Sequence, residues 1–304
     1  MIERQHLRII MQIERHGSLT GAADALHLTQ SALSHAIKRL ESQLGTELWQ
    51  KNGRTLRLTQ AGEAVLALAQ RVLPQFDHTE MQVHQIAQGK QGVLRIGMEC
   101  HPCYQWLLKV VEPFLLAYPQ VDVDVRQAFK FGGLHALHGY EIDLLLTPDP
   151  LFLDALTYIP VFHYEQVLTV ASHHPLAGKP MIEAGDLANE VLITYPVEPS
   201  RLDIFNQFLT PAGGSVKRHK TIETTEILLQ MVSAGRGVAA LPDWLVSEYA
   251  DALGLCQIKL GARGIHKALH LGYRKEETPG GYFQAFIDMA ESLGRTGAVK
   301  SETD

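Results

Sequence analysis

The chain has 304 residues, of which 46% are hydrophobic and 20% charged. That composition supports about two domains and excludes gross disorder. No apolar run approaches the roughly 18–20 residues of a membrane-spanning helix, and Met1-Ile2-Glu3-Arg4-Gln5-His6 lacks a basic segment leading into an apolar one. We therefore expect a cytoplasmic protein with no membrane partner.

The net charge of −6 speaks against nucleic acid, but its distribution softens that: residues 1–90 hold ten Lys and Arg against eight Asp and Glu, while the rest of the chain is acidic. Cys100, Cys103 and Cys256 form an odd, sparse set. Such a set fits a reducing compartment and argues against a disulfide framework.

Leu7, Ile10 and Met11 lie at i, i+3 and i+4 and predict a first helix. Gly17-Ser18 breaks it, and Ser18 caps a second helix carrying Leu19, Ala22, Ala23 and Leu26. Thr29 caps a third, which runs to about Gln43 and stops at Gly45. Residues 46–58 read as two short strands around the turn dipeptide Asn52-Gly53. Thr59 then caps a long helical pattern from Gln60 to about Gln88, whose apolar face asks for a partner helix and whose Pro74 predicts a kink or a break.

Beyond the linker Gly89-Lys90-Gln91-Gly92 the texture changes. Val93–Gly97, Val121–Val125 and Ile142–Leu146 read as strands, with a helix over Tyr104–Ala117. Further strands are expected at Thr157–Phe162, Gln166–Ala171, Val191–Tyr195, Val238–Leu241, Leu255–Leu260 and Ala268–Tyr273. Alternation of this kind predicts an α/β fold with a mostly parallel sheet.

The third helix carries the functional reading. On a helical wheel Leu33, Ile37, Leu40 and Leu44 share one arc, while Ser31, Ser34, His35, Lys38 and Ser42 share the other. Slender hydrogen-bonding side chains near a helix N-terminus, with a cation behind them, suit the DNA major groove. Gly21, Ala22, Ala23 and Ala25 let the preceding helix cross closely, as in a helix-turn-helix. An amphipathic helix with a solvated polar face explains the wheel as well, although such faces are usually richer in Glu and Lys.

Cys100-His101-Pro102-Cys103 follows a strand and opens a helix. Taken alone it fits a redox pair, a partial zinc site or two inert buried thiols. No second Cys-x-x-Cys accompanies it, and the fifteen histidines by themselves give no metal site. Gly235-Arg236-Gly237 reads as a turn and Leu241-Pro242 as a strand end.

The stretches GSLTGAADALHLTQSALSHAIKRLESQLGTELW (17–49) and RTLRLTQAGE (54–63) closely resemble the winged helix-turn-helix of LysR-type transcriptional regulators. The resemblance extends over essentially the whole chain. It implies a winged helix-turn-helix over 1–58, a dimerising linker helix over 59–89 and an effector domain over 90–304. That domain resembles two-lobed periplasmic binding proteins, with one lobe from 90–162 and 267–304 and the other from 163–266. A narrower set, GMECHPCYQWLL (97–108), YPVEPSRLDIFNQFLTPAG (195–213) and ILLQMVSAGRGVAALPDW (227–244), resembles the branch of the family that controls methionine biosynthesis in response to homocysteine.

By this resemblance residues 29–40 form the recognition helix. Gln30, Ser31, Ser34 and His35 face base edges, Lys38 and Arg39 meet phosphate, Arg54 lies on the wing, and Ser18 and Thr29 complete the DNA-facing set. A homodimer, with a tetramer open, would place two recognition helices on an interrupted dyad in double-stranded DNA, with RNA polymerase as a further partner. The effector cleft is expected to draw on Cys100, His101 and Cys103 at the first strand-to-helix junction, Thr147 at a strand end, Tyr195, Ser200 and Arg201 from the opposite lobe, and Thr224 and Thr225 at a helix start. Arg201 suits a carboxylate, although a surface ion pair with Asp203 explains it equally. No cofactor and no metal are expected, only a small-molecule co-inducer. A thiol-disulfide oxidoreductase using Cys100 and Cys103 and a transport solute-binding protein are the readings from other classes; residues 1–60 have no role in either.

Overall fold

The computed structural model describes residues 1–52, 55–87, 92–126, 132–276 and 281–298. Two compact units form, Met1–Gly92 with His135–Ile142, and Val93–Leu134 with Asp143–Asp304. No described helix is long and apolar enough to cross a membrane.

The first unit opens with helices α1 (Arg4–His16), α2 (Leu19–Ala25) and α3 (Gln30–Leu44), then a ribbon of β1 (Trp49–Asn52) and β2 (Thr55–Leu58), then α4 (Gln60–Ala87). The local signals act as their chemistry dictates. Ser18 Oγ accepts the Gly21 N–H at 3.1 Å and Thr29 Oγ1 accepts the Ala32 N–H at 3.2 Å, so each caps its helix. Gly45 ends α3 with φ 69°, a left-handed conformation that glycine adopts without penalty. Trp49 pairs with Leu58 and Asn52 with Thr55 in antiparallel register, and the turn between them lies outside the described residues.

Helix α1 is the hub of this unit because it is apolar on two sides. Leu7 and Ile10 pack with Leu40, Leu48 and Val65, Ala69, Leu73 of α4. Ile9 and Ile13 pack with Ala22, Ala23, Leu33 and Ile37. Two expectations need correction. Leu44 does not join the buried arc of α3; it is 37% exposed, because it occupies the last helical position, where the neighbouring helices no longer cover it. Of the kink or break expected at Pro74, the break does not occur: α4 continues through it as one 28-residue helix. The missing N–H removes one hydrogen bond, and burial of Leu73 beside it helps the turn to hold.

The second unit contains β3 (Gly92–Met98), α5 (Cys103–Ala117), β4 (Val121–Arg126), α6 (Gly133–His138), β5 (Leu144–Thr147), β6 (Leu156–Ala171), β7 (Met181–Ile182), β8 (Val191–Thr194), β9 (Arg218–Thr221), α7 (Thr225–Ser233), β10 (Ala239–Pro242), α8 (Asp243–Leu253), β11 (Leu255–Leu260), β12 (Ile265–Arg274) and α9 (Tyr282–Ala298). Of α6, Gly133 and Leu134 are assigned to this unit and residues 135–138 to the first.

The large sheet runs β4-β3-β5-β12-β6-β11-β7, with β10 also on β6. It is mixed rather than mostly parallel. β3–β5 and β7–β11 are parallel, whereas β12 is antiparallel to β5 and β6, and β10 and β11 are antiparallel to β6. The cause is β6, which the sequence suggests as two strands and which forms one of 16 residues. Pro160 interrupts the pattern but not the strand: it lies beside a register shift in the pairing with β12, the kind of irregularity where a missing N–H is tolerated.

β6 and β12 run from one hydrophobic core to another. The first core gathers Leu94, Ile96, Trp106, Phe114, Phe162, Leu269 and Phe286. The second half is built around Leu168, Leu192, Ile204 and Ile258, with a neighbouring cluster of Ile193, Leu228, Leu241 and Leu245. Helix α9 lies directly on β6: a Cβ at Gly294 would stand 1.7 Å from the Val161 carbonyl oxygen.

Candidate functional site

Two regions carry the candidate functional residues. On α3, Leu33, Ile37 and Leu40 are buried. Gln30, Ser31, His35, Lys38 and Arg39 are exposed, and Ser34 is half-buried beside them. Thr29 Oγ1 lies 3.1 Å from Ser31 Oγ, so the cap also orders the first side chain of the polar face. Ser18 and Thr29 hold helix ends through backbone donors. Arg54 lies outside the described residues. What remains is a rigid helix presenting short donors and acceptors first and two cations a turn later, an order that matches base edges within and phosphate alongside a major groove.

The second region is a cleft in the second unit, where the C-terminal ends of β3, β5 and β8 come together. The His101 ring stacks on Tyr195, with centroids 4.6 Å apart and planes 12° off parallel. Tyr195 Oη and Thr225 Oγ1 are 3.0 Å apart, and burial raises the phenol's pKa. Around this stack lie two chambers that share Glu99, Cys100 and His101. The larger, about 450 Å³, is lined also by Gln105, Glu223, Thr224, Thr225 and Glu226. The smaller, about 100 Å³, is lined also by Asp149, Tyr164, Tyr195, Arg201, Asp203 and Lys267.

Of the residues predicted for the cleft, the fold therefore brings together Cys100, His101, Tyr195, Arg201, Thr224 and Thr225. Three others are not among the residues lining either chamber. Cys103 is 1% exposed and belongs to the first core. Thr147 is also 1% exposed, and its Oγ1 accepts the Asp149 N–H at 3.1 Å. Ser200 is exposed, and its carbonyl accepts from Asn206 Nδ2 at 3.2 Å.

The reading of the cysteine set as arguing against any disulfide framework needs correction. Cys100 and Cys103 are disulfide-bonded with Cα atoms 5.5 Å apart, and only Cys256 is free. A spacing of three residues at a helix start brings the two Cβ atoms within bonding reach, and the Cys103 N–H donates to Cys100 Sγ at 3.2 Å. Among the described residues no group of three or more His, Cys, Asp or Glu is placed to hold a metal ion.

Sequence reading missed the charged centre of the smaller chamber. Lys267 Nζ donates to Asp149 Oδ1 at 2.5 Å and pairs with Asp203 Oδ2 at 3.0 Å. Burial works against its charge, but the hydrogen bond and charge of Asp149, joined by Asp203, outweigh it and hold the ammonium's pKa above its ordinary value. Asp203 is thus committed to Lys267 and, through Oδ1, to Gln207 at 2.6 Å. The missed signal was phase. In Ile265-His-Lys-Ala-Leu-His-Leu-Gly-Tyr273 the odd positions are Ile, Lys, Leu, Leu and Tyr, so Lys267 is the one charge in the inward phase.

Comparison with known proteins closes the identification. Residues 4–63 match the model of the bacterial regulatory helix-turn-helix of the LysR family, and residues 87–294 match the LysR substrate-binding domain. The chain is 41% identical over 292 residues to the HTH-type transcriptional regulator MetR of Escherichia coli K12, covering 96% of this chain and 90% of that one. The regulatory domain of MetR from N. meningitidis superposes with a TM-score of 0.61 at 32% identity, covering 67% of this chain and 94% of the domain. Full-length CbnR, at 21% identity and a TM-score of 0.63 over 96% of this chain and 99% of that one, shares the fold. The chain is a DNA-binding regulator and not an enzyme, with a winged helix-turn-helix followed by a two-lobed effector domain, and it belongs to the LysR family of bacterial transcriptional regulators.

Proposed function

We propose that this regulator acts in the cytoplasm on methionine-biosynthesis genes and that homocysteine, bound in the cleft, sets its activity. The observation that carries this reading is identity of 41% to a MetR regulator along nearly the whole chain, effector domain included. The larger chamber, about 450 Å³, falls within the usual range for small-molecule sites.

In this reading Gln30, Ser31, Ser34 and His35 contact base edges, and Lys38, Arg39 and Arg54 contact phosphate, with Ser18 and Thr29 at the helix ends beside the backbone. Phe76, Met81 and Val83, exposed on the C-terminal half of α4, favour pairing of two chains through that helix, and an interrupted dyad follows from the two-fold. Effector binding between the lobes, through Cys100, His101, Tyr195, Arg201, Thr224 and Thr225, shifts the packing of chains on DNA and thereby contact with RNA polymerase. It can do so only by its differential affinity for the two arrangements.

The test is a gel-shift series at one stated salt concentration, on DNA upstream of the regulator's own gene and of a methionine synthase gene. L-Homocysteine, L-methionine, L-cysteine and L-norleucine are compared. The reading predicts that homocysteine alone changes affinity or mobility at micromolar to millimolar concentration. A response to another compound with none to homocysteine would keep the regulator and replace the effector.

A further inference from the structure

We infer that the smaller chamber is an α-amino-acid head-group subsite in which Lys267, Asp149, Asp203 and Arg201 select a zwitterion over a simple anion or a simple amine. The inference rests on the effector reading above and specifies the ligand class of that cleft.

Five charged side chains, Glu99, Asp149, Arg201, Asp203 and Lys267, line a space of about 100 Å³, roughly three waters' worth at ~30 Å³ each. Two are cations and three are anions; Glu99, on the border with the larger chamber, accepts the Gly133 N–H through Oε1, and the poles of both signs that remain are Lys267 and Arg201 against Asp149 and Asp203. A lone carboxylate entering it meets Asp149 and Asp203 at close range, and a lone ammonium meets Lys267 and Arg201. A molecule carrying both poles gives each sign a partner.

The existing bonds show how the poles are taken up. Lys267 joins a residue following β5 to a residue preceding the π-helical turn Ile204–Leu209, so one ammonium ties the wall from the first core to the wall from the second. Asp149 is the looser partner: its side chain is 41% exposed, against 11% for Asp203. An incoming ammonium therefore takes Asp149, and the incoming carboxylate takes the donor that Lys267 releases, with the Arg201 fork beside it. Asp203 stays in place, its second oxygen held by Gln207.

The one Lys267–Asp149 bond gives way to two bonds with the ligand, so neither Lys267 nor Asp149 is left without a partner. The chamber is too small for a whole amino acid with a side chain of several atoms. The side chain must pass the His101–Tyr195 stack into the larger chamber, along the Glu99 and Cys100 border that both share.

The test is calorimetric titration of the full chain with L-homocysteine, L-methionine and L-norleucine, and with two one-pole analogues of homocysteine, 4-sulfanylbutanoate and 3-aminopropane-1-thiol. We expect each one-pole analogue to bind at least about thirtyfold more weakly than homocysteine, from the charged hydrogen bonds it lacks. In Lys267→Met the gap between homocysteine and the aminothiol should shrink to about threefold or less, which loss of fold alone does not produce; the analogue series on the unmodified chain stands whether or not that variant folds. A one-pole analogue binding within about threefold of homocysteine overturns the subsite and leaves the effector reading intact. Two-pole dependence seen with methionine or norleucine, and no binding of homocysteine, supports the subsite and removes the effector reading. Absence of binding by every α-amino acid overturns the subsite.

Discussion

On α3, five polar side chains between Gln30 and Arg39 stand exposed within a single stretch of ten residues. In the cleft, Lys267 is tied to Asp149, 118 residues away, and Tyr195 is bonded to Thr225 and stacked on His101. The first surface has its hydrogen-bonding groups turned to solvent and waits for a partner that brings the complement. The second is tied within itself at Lys267 and at Tyr195, so a ligand that takes those groups displaces a bond that exists. One arrangement suits a reader, whose geometry must be the same before and after binding. The other suits a switch, whose two states differ in which groups are joined.

If the two regions are that distinct, damage to one should leave the other working. The largest separation is expected from Ser31→Glu. A carboxylate in the first turn is compatible with the helix dipole, so α3 should stay folded, while DNA affinity falls by about a hundredfold or more through repulsion of phosphate. Homocysteine affinity should not change. Anisotropy on labelled DNA and calorimetry on the same sample measure both.

Arg201→Met is the converse. Homocysteine affinity should drop by about tenfold to a hundredfold with loss of the charged fork, and DNA affinity without effector should stay within about twofold. Loss of both together would show that the regions are not separable. Lys38→Ala is smaller: affinity should fall by about tenfold across all sequences, and the slope of log affinity against log salt should lessen by about one. A change confined to one operator sequence would make Lys38 a base reader instead.

The smallest effect sharpens the picture of the cleft's supporting wall. Asp243 Oδ1 accepts the Trp244 N–H at 2.8 Å and the Glu165 N–H at 3.3 Å. Burial nonetheless raises the pKa of this carboxyl above its ordinary value. The folded state then binds more protons than the unfolded one between the two pKa values, so stability falls as pH rises through that window, and the penalty is complete above the folded pKa. Asp243→Asn keeps both acceptor contacts without the charge. It should raise Tm by about 1–2 °C at pH 7 and by nothing near pH 3. A lowered Tm at pH 7 would mean that the charge itself is stabilising.

The same contrast explains what could be read from the sequence. Every determinant of α2 and α3 is local: the caps Ser18 and Thr29, the stop at Gly45 and the spacing Leu33, Ile37, Leu40. Only Leu44 was misplaced, because a helical wheel cannot show where the neighbouring helices end. In the effector domain most strands could be found, but their pairing could not. The length of β6, and with it the antiparallel seams, depends on β12, more than a hundred residues downstream. Lys267 fell just outside a strand expected to begin at Ala268, and its two partners are remote. The Cys100–Cys103 bond was within reach of local geometry; weighing cysteine number for the whole chain, rather than spacing at one helix start, concealed it.

The most direct test of the account is a DNase footprint of the full chain on DNA upstream of its own gene and of a methionine synthase gene, with and without L-homocysteine, for the unmodified protein and for Arg201→Met. The account predicts a protected dyad for both proteins, with homocysteine changing its extent only in the unmodified one. Protection that homocysteine alters equally in both would contradict the assignment of the switch to this cleft, and no protected dyad on either DNA would contradict the reader.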